Sequence, residues 1–124
     1  MSQYKVLTLN QISPLGLKRF PADHYAVGGD VTEPDAILVR SQNMHEMAIP
    51  ASVKAIGRAG AGTNNIPVKQ MSQRGVPVFN APGANANAVK ELVIAGMLMA
   101  ARNLVPALRF VDGLEGDDAA LYKQ

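Results

Sequence analysis

Hydrophobic residues fall along this chain in short runs separated by turn-rich stretches, and the runs carry the β-branched and aromatic residues that suit strands. Five stand out: Tyr4 to Leu9, Tyr25 to Val27, Ala36 to Val39, Lys54 to Gly57 and Val76 to Phe79. Four of the five lack an alternation of apolar and polar positions, which predicts strands covered on both faces, as in a parallel sheet. Between them, Ser13 with Pro14 opens a short helix to about Phe20, Pro50 to Val53 forms a brief helical turn, and Asn65 with Pro67 opens a helix that stops at Gly75. The order predicts βαβ units and an α/β fold with a right-handed, doubly wound parallel sheet. One crossover is short. Only Gly28 to Asp35 separates the second and third runs, where a parallel return needs about a dozen residues or more. Either a helix is trimmed there or the second strand is marginal.

The last element expected is a helix from about Asn87 to Asn103, with Asn87 as its N-cap and the ten uninterrupted apolar residues Leu92 to Ala101 at its centre. Ten are too few to span a bilayer. A helix apolar on every side has to be buried on every side, and a domain of this size cannot surround it. Its expected place is between this domain and something absent. The stretch from Pro106 to Gln124, with Asp112, Glu115, Asp117 and Asp118, is expected to end without a clear element. The chain reads as cut from a larger protein.

The chain has 124 residues, 48% of them hydrophobic, which is enough for one globular domain with a modest core. Twelve basic and ten acidic residues are mixed along it, and three Phe with three Tyr leave little to stack on bases. That pattern speaks against nucleic acid as a partner. The absence of cysteine excludes disulfides and thiolate metal sites and suits a reducing compartment. With no long apolar segment near Met1, the expected location is the cytoplasm, with no membrane partner.

Chemistry concentrates in Lys54 to Asn65, where an apolar strand runs into Arg58 and then Ala59-Gly60-Ala61-Gly62. Backbone N–H groups freed by small residues converge on oxyanions, and a guanidinium beside them adds a two-pronged charged donor. The run is not a dinucleotide fingerprint. Gly60 and Gly62 supply the first G-x-G, but the third glycine position holds Asn65 and no acidic ribose partner follows at the required spacing. Taken alone, the glycines fit a plain turn; Arg58 at the strand end tips the reading toward an anion site.

Three segments together resemble successive motifs of the D-isomer-specific 2-hydroxyacid dehydrogenases: Ile37-Leu38-Val39-Arg40-Ser41, Ile56 to Ile66, and Asn80-Ala81-Pro82-Gly83-Ala84-Asn85 with Glu91-Leu92 beyond. The resemblance covers roughly residues 4 to 110. It implies a flavodoxin-like substrate-binding domain over residues 1–103, including the linking helix 87–103, with 104–124 beginning the connection to an absent NAD-binding Rossmann domain. It implies that Arg40, Ser41 and Arg58 contact the substrate, that the backbone of Ala59, Gly60, Ala61 and Gly62 holds its carboxylate, and that Ala61 and Asn80 lie near the nicotinamide. Pro82, Gly83, Asn85 and Glu91 would shape the interdomain cleft. The family's catalytic arginine, glutamate and histidine fall beyond Gln124, so no catalytic residue is assigned here.

Two arginines suit a phosphorylated hydroxy acid, so the resemblance implies NAD-dependent oxidation of 3-phosphoglycerate to 3-phosphohydroxypyruvate by a homo-oligomer joined through helix 87–103. Alternatives are another D-2-hydroxyacid substrate, of glycerate, hydroxypyruvate, erythronate-phosphate or lactate type, or a non-catalytic flavodoxin-like interaction module. The chain departs from the family pattern in the trimmed second crossover, in Asn64 where an aspartate is usual, and in Ala88 and Lys90 before Glu91. His24 and His45 lack partners at metal-ligand spacing and are taken as structural, with no metal expected. Arg40 has a bland alternative, a surface pair with Asp35 or Glu46. Asn80 to Gly83 has one too, a turn built on Pro82-Gly83. A phosphoacceptor receiver is a weak alternative because Asn10-Gln11 and Arg40-Ser41 stand where it needs acidic residues, and so is a flavodoxin because Ile12 to Leu15 offers one hydroxyl.

Overall fold

The computed structural model describes residues 3–116, and the chain divides into two compact units, Met1–Ala84 and Asn85–Gln124. The first unit is built on a five-stranded sheet of β1 (Tyr4–Leu9), β2 (Tyr25–Gly28), β3 (Ala36–Val39), β4 (Ala55–Arg58) and β5 (Val78–Phe79), with helices α1 (Pro14–Leu17) and α2 (Val68–Gln73). Every pairing is parallel, in the order β2-β1-β3-β4-β5. This is the flavodoxin-like doubly wound order, in which the chain first builds outward from β1 to β2 and then turns back to extend the sheet the other way. Its reversal lies between β1 and β3.

The second crossover contains no helix, and β2 is nonetheless a full strand paired with β1 from Tyr4 to Leu7. Val31 of the short connection packs against the core in place of the missing helix. The first helix is shorter than the pattern predicted, ending at Leu17, and Lys18 to Phe20 continue as turns. Pro21 disfavours helical backbone at Phe20, whose ring instead meets Tyr25 edge-on at 5.2 Å. The fourth strand is displaced by one residue from its expected place, so Arg58 closes β4 from inside the ladder. The fifth shrinks to two residues, because Pro77 has no N–H to give and only its carbonyl joins the sheet, accepting from Ile56 N at 3.0 Å.

Burial corrects a further expectation. Leu7, Ile37 and Ile56 stand in register on one face and are buried, over Met44, Val53, Ile66, Met71 and Val76. Thr8, Leu38 and Gly57 on the opposite face are only partly buried, and Phe79 is 62% exposed. An unbroken apolar run shows that both faces tolerate burial; it does not supply the second layer. Here β3, β4 and β5 are covered well on one side only, while β1 buries adjacent residues, Val6 and Leu7, on both.

The sheet is tied at its amino-terminal end by Asp35, just before β3. Its backbone N–H donates to Lys5 O and its carbonyl accepts from Lys54 N, both at 2.8 Å. Its carboxylate accepts from Lys5 N at 2.9 Å and from Lys54 Nζ at 2.7 Å. One residue thus links the starts of three neighbouring strands.

The second unit consists of α3 (Ala86–Ala101) and α4 (Leu104–Asp112), bent by 59° at their junction. Asn87 does not cap α3. The helix begins at Ala86 after Asn85, and the Asn87 amide donates to Glu91 Oε1 at 2.7 Å while accepting from Lys90 Nζ at 2.5 Å. Asn103 takes the left-handed conformation (φ 50°) that ends one helix and starts the next, a geometry asparagine tolerates better than most residues. The helix α4 occupies part of the stretch expected to have no clear element, because Pro106 falls in its first turn, where a missing N–H costs nothing. Asp117 and Asp118 lie outside the described residues. Neither helix has a buried residue, and among the described residues no single helix is long and apolar enough to cross a membrane.

The hydrogen bond from Lys5 N, and then that from Lys54, hold the Asp35 carboxyl below its ordinary value of 3.8. A carboxyl with a depressed folded value stabilises fully above its unfolded value and loses that contribution as pH falls through the folded one. Asp35→Asn should therefore lower the urea midpoint at pH 7, and the gap from wild type should close at pH values well below 3.8. A gap that stays constant across that range would show that the carboxylate charge does not matter.

Candidate anion site

The carboxyl ends of β1, β3, β4 and β5 bring together four loops at the reversal of the sheet, where open α/β sheets place their ligands. From β1 comes Asn10, in the left-handed region at φ 66°. Its Oδ1 accepts from Ser41 N at 3.0 Å, from Gln42 N at 2.5 Å and, more weakly, from Ser41 Oγ at 3.4 Å. From β3 comes Arg40, exposed, and among the described residues its guanidinium has no hydrogen-bond or ion-pair partner. The surface pair with Asp35 or Glu46 does not form: Asp35 lies at the opposite end of β3, where Lys54 engages it, and among the described residues Glu46 makes no ion pair with Arg40. From β4 comes Arg58, partly buried, whose Nε donates to Arg40 O at 3.1 Å.

The glycine run lies against Arg58. A Cβ built on Gly60 would stand 2.3 Å from Arg58 Nη1, so the absence of a side chain is what lets the guanidinium rest there. The expected cradle of four backbone amides is narrower in the structure. Ala59 N donates to Val39 O at 2.8 Å and Gly60 N to Arg58 O at 2.9 Å, so both are committed to the fold. Among the described residues the N–H groups of Ala61 and Gly62 donate to no protein acceptor. Two guanidiniums and two amides are thus the available donors.

Asn80 is a tether. Its Nδ2 donates to Ala61 O at 2.6 Å, and Ala81 N donates to Gly60 O at 3.0 Å, so the loop after β5 fixes the glycine run from the far side. Gly83 supplies the positive φ of 76° that the Pro82-Gly83 turn requires. Asn85 and Glu91 belong to the second unit, where Glu91 is engaged by Asn87. Asn65, which occupies the third position of the failed fingerprint, donates to Gln42 O and accepts from Met44 N, both at 2.8 Å. His45 meets Asn64 O at 2.9 Å and His24 lies 3.4 Å from Asp23 on the surface. No group of three metal-ligating side chains occurs among the described residues.

Two open cavities flank the arginines. One, of about 500 Å³, is lined by Thr8, Asn10, Gln11, Ser13 and Arg40 among others. The other, of about 170 Å³, lies on the partly covered row Leu38, Gly57 and Phe79 beside Arg58 and Asn80. Ile12 borders both, and neither is lined by a carboxylate. The loop Asn10 to Ser13 was not among the residues singled out in the motifs. A polar residue closing the strand next to the reversal was the signal that could have found it.

Chemically, these groups can bind and orient an anion. They include no paired acid and base. Nor do they form a dinucleotide site: the glycine run does not open a helix, because α2 begins only at Val68 and has six residues, whereas a pyrophosphate needs a helix amino terminus reached directly through the glycine turn.

Comparison with known proteins bears on the class. The model of the D-isomer specific 2-hydroxyacid dehydrogenase catalytic domain matches residues 21–114. The chain belongs to that family. It is 42% identical over 85 residues to a D-3-phosphoglycerate dehydrogenase of Archaeoglobus fulgidus, covering 66% of this chain and 16% of that protein. It is 38% identical over 80 residues to a hydroxypyruvate reductase of Thermotoga maritima, covering 62% of this chain and 26% of the relative. The chain therefore spans between about a sixth and a quarter of the length of these two relatives. Among solved structures, NAD+-bound 3-phosphoglycerate dehydrogenase of Entamoeba histolytica superposes with a TM-score of 0.61 at 24% identity, over 79% of this chain and 39% of that one. That likeness supports the fold.

Gly60→Ala should leave the sheet intact while straining the loop at its φ of 157° and displacing the Arg58 guanidinium, whose Nη1 would lie 2.3 Å from the new methyl. An NMR spectrum of the arginine side chains would show the Arg58 Nε signal moved, with the strand amides little changed. An unmoved Arg58 signal would mean that the guanidinium does not lie over Gly60.

Proposed function

We propose that this chain is the substrate-binding part of an NAD-dependent oxidoreductase that converts 3-phosphoglycerate to 3-phosphohydroxypyruvate, the first step of serine biosynthesis. One observation carries the reading: Arg40 and Arg58 each line a cavity that no carboxylate lines, and the amides of Ala61 and Gly62 in the loop after Arg58 are unengaged among the described residues. A phosphate of about −1.5 to −2 charge at one end of a small molecule and a carboxylate at the other match that donor set. An unphosphorylated hydroxy acid carries only its carboxylate and would need one arginine fewer. The name of the Archaeoglobus fulgidus relative supports the same substrate, and that of the Thermotoga maritima relative keeps hydroxypyruvate as the second reading.

In this reading residues 1–103 are the substrate domain and 104–124 begin the connection to a Rossmann domain that holds NAD; Ala61 borders the nicotinamide, and Pro82, Gly83, Asn85 and Glu91 shape the cleft. When bound, the nicotinamide would supply the hydride acceptor. The contribution of this chain is to fix both ends of the substrate. The proton acceptor and its partners lie in other parts of the full-length enzyme, and the compartment is the cytoplasm. In the full-length protein, Arg40→Ala and Arg58→Ala should each weaken the apparent affinity for 3-phosphoglycerate by about ten- to a hundredfold, the effect of losing one charge-assisted contact. Steady-state kinetics with phosphorylated and unphosphorylated hydroxy acids would decide it. Equal losses on both kinds of substrate would move the assignment to hydroxypyruvate.

The protein is further proposed to be a homo-oligomer joined through helix 87–103. Leu92, Met97 and Leu98 of α3 are 75%, 67% and 62% exposed, and continuous apolar patches beyond a few hundred Å² mark interfaces. Two-fold pairing would bury the same patch twice. Sedimentation of this chain across micromolar concentrations should show self-association that Leu98→Lys abolishes or converts to precipitation; a monomer throughout would refute it.

A further inference from the structure

We propose that Asn10 is a positioning residue that presets Arg40 for the anion; this rests on the reading of the site as an anion receptor. The Arg40 side chain has no partner among the described residues, so its aim depends on its backbone. That backbone is gripped at both polar atoms of a single peptide group. The Arg40 carbonyl accepts from Arg58 Nε at 3.1 Å, and the following N–H, that of Ser41, donates to Asn10 Oδ1 at 3.0 Å. The next N–H, that of Gln42, goes to the same oxygen. One asparagine oxygen from β1 and one guanidinium from β4 therefore clamp the turn after β3 between them.

Two features suit Asn10 to the task. Its backbone is left-handed, at φ 66°, which asparagine adopts far more readily than most residues. Its amide accepts several donors without charge, whereas a carboxylate there would compete with the incoming anion for Arg40 in the cavity that both residues line. Holding the turn in its bound form beforehand removes an ordering cost from binding.

The test uses Asn10→Gly, which keeps the positive φ and deletes the acceptor, with Asn10→Asp, Arg40→Ala and the Asn10→Gly/Arg40→Ala double variant of the full chain. Titration with 3-phosphoglycerate is followed by NMR, alongside amide exchange at Ser41 and Gln42. Asn10→Gly should speed exchange at both amides and weaken binding about tenfold, while Asn10→Asp, which retains the acceptor, keeps them slow. In the Arg40→Ala background Asn10→Gly should weaken binding no further, because the effect is exerted through Arg40. The positioning role is overturned alone if wild type binds, Arg40→Ala weakens binding and Asn10→Gly does not. It is overturned as well if the two substitutions add, or if Asn10→Asp exchanges as fast as Asn10→Gly. Absence of binding by wild type would overturn this role together with the anion-receptor reading.

Discussion

The parallel pairing of β1 with β3 is the constraint on which the rest of the first unit depends. Parallel strands cannot be joined by a tight turn, so each connection must cross the sheet, and right-handedness fixes the face on which it crosses. Once β2 is laid on one side of β1 and β3 on the other, the connections leave the carboxyl ends in opposite directions and part there. The gap between them is where Asn10, Arg40 and Arg58 meet. A sheet of the same strands in sequential order would have kept Arg40 beside Arg58 and put β2 between them and Asn10.

The candidate binding groups at this gap are held by neighbours of little chemical interest. Asn10 fixes the turn that carries Arg40, Asn80 and Ala81 fix the glycine run, and Asn65 ties the loop beyond it to Gln42 and Met44. These side chains satisfy loop backbone groups that water would otherwise have to satisfy. Rigidity of this kind leaves Arg40, Ala61 and Gly62 with donors to spare. A site made of unspent donors on a fixed frame is suited to binding a charged molecule in one orientation, and chemistry performed on that molecule needs groups from elsewhere.

The second unit poses the opposite problem. Its long helix is apolar around the whole circumference and no residue in it is buried, so its composition answers to surroundings other than water. The sheet has a milder form of the same feature in the row Leu38, Gly57 and Phe79. Both are consistent with a chain that spans only a fraction of its relatives' length.

The amino-acid sequence by itself determined the strands, the doubly wound class and the family, because apolar runs bounded by Gly, Pro and Asn depend on local propensities and on spacing. It marked Arg40, Arg58 and the glycine run for the same reason. It could not separate amides that bind a ligand from amides spent on the fold: whether Ala59 and Gly60 are free depends on Val39 O and Arg58 O, and those distances exist only once β3 and β4 are paired. Nor could it show that Asn80 holds Ala61, or that Asn10 reaches across 31 residues to Ser41. It also missed α4, since Pro106 reads as a break until its place in the first turn is known. Coverage of the sheet was decided by tertiary structure too, because an apolar residue records what its surface tolerates, and only the packed chain decides which surfaces meet.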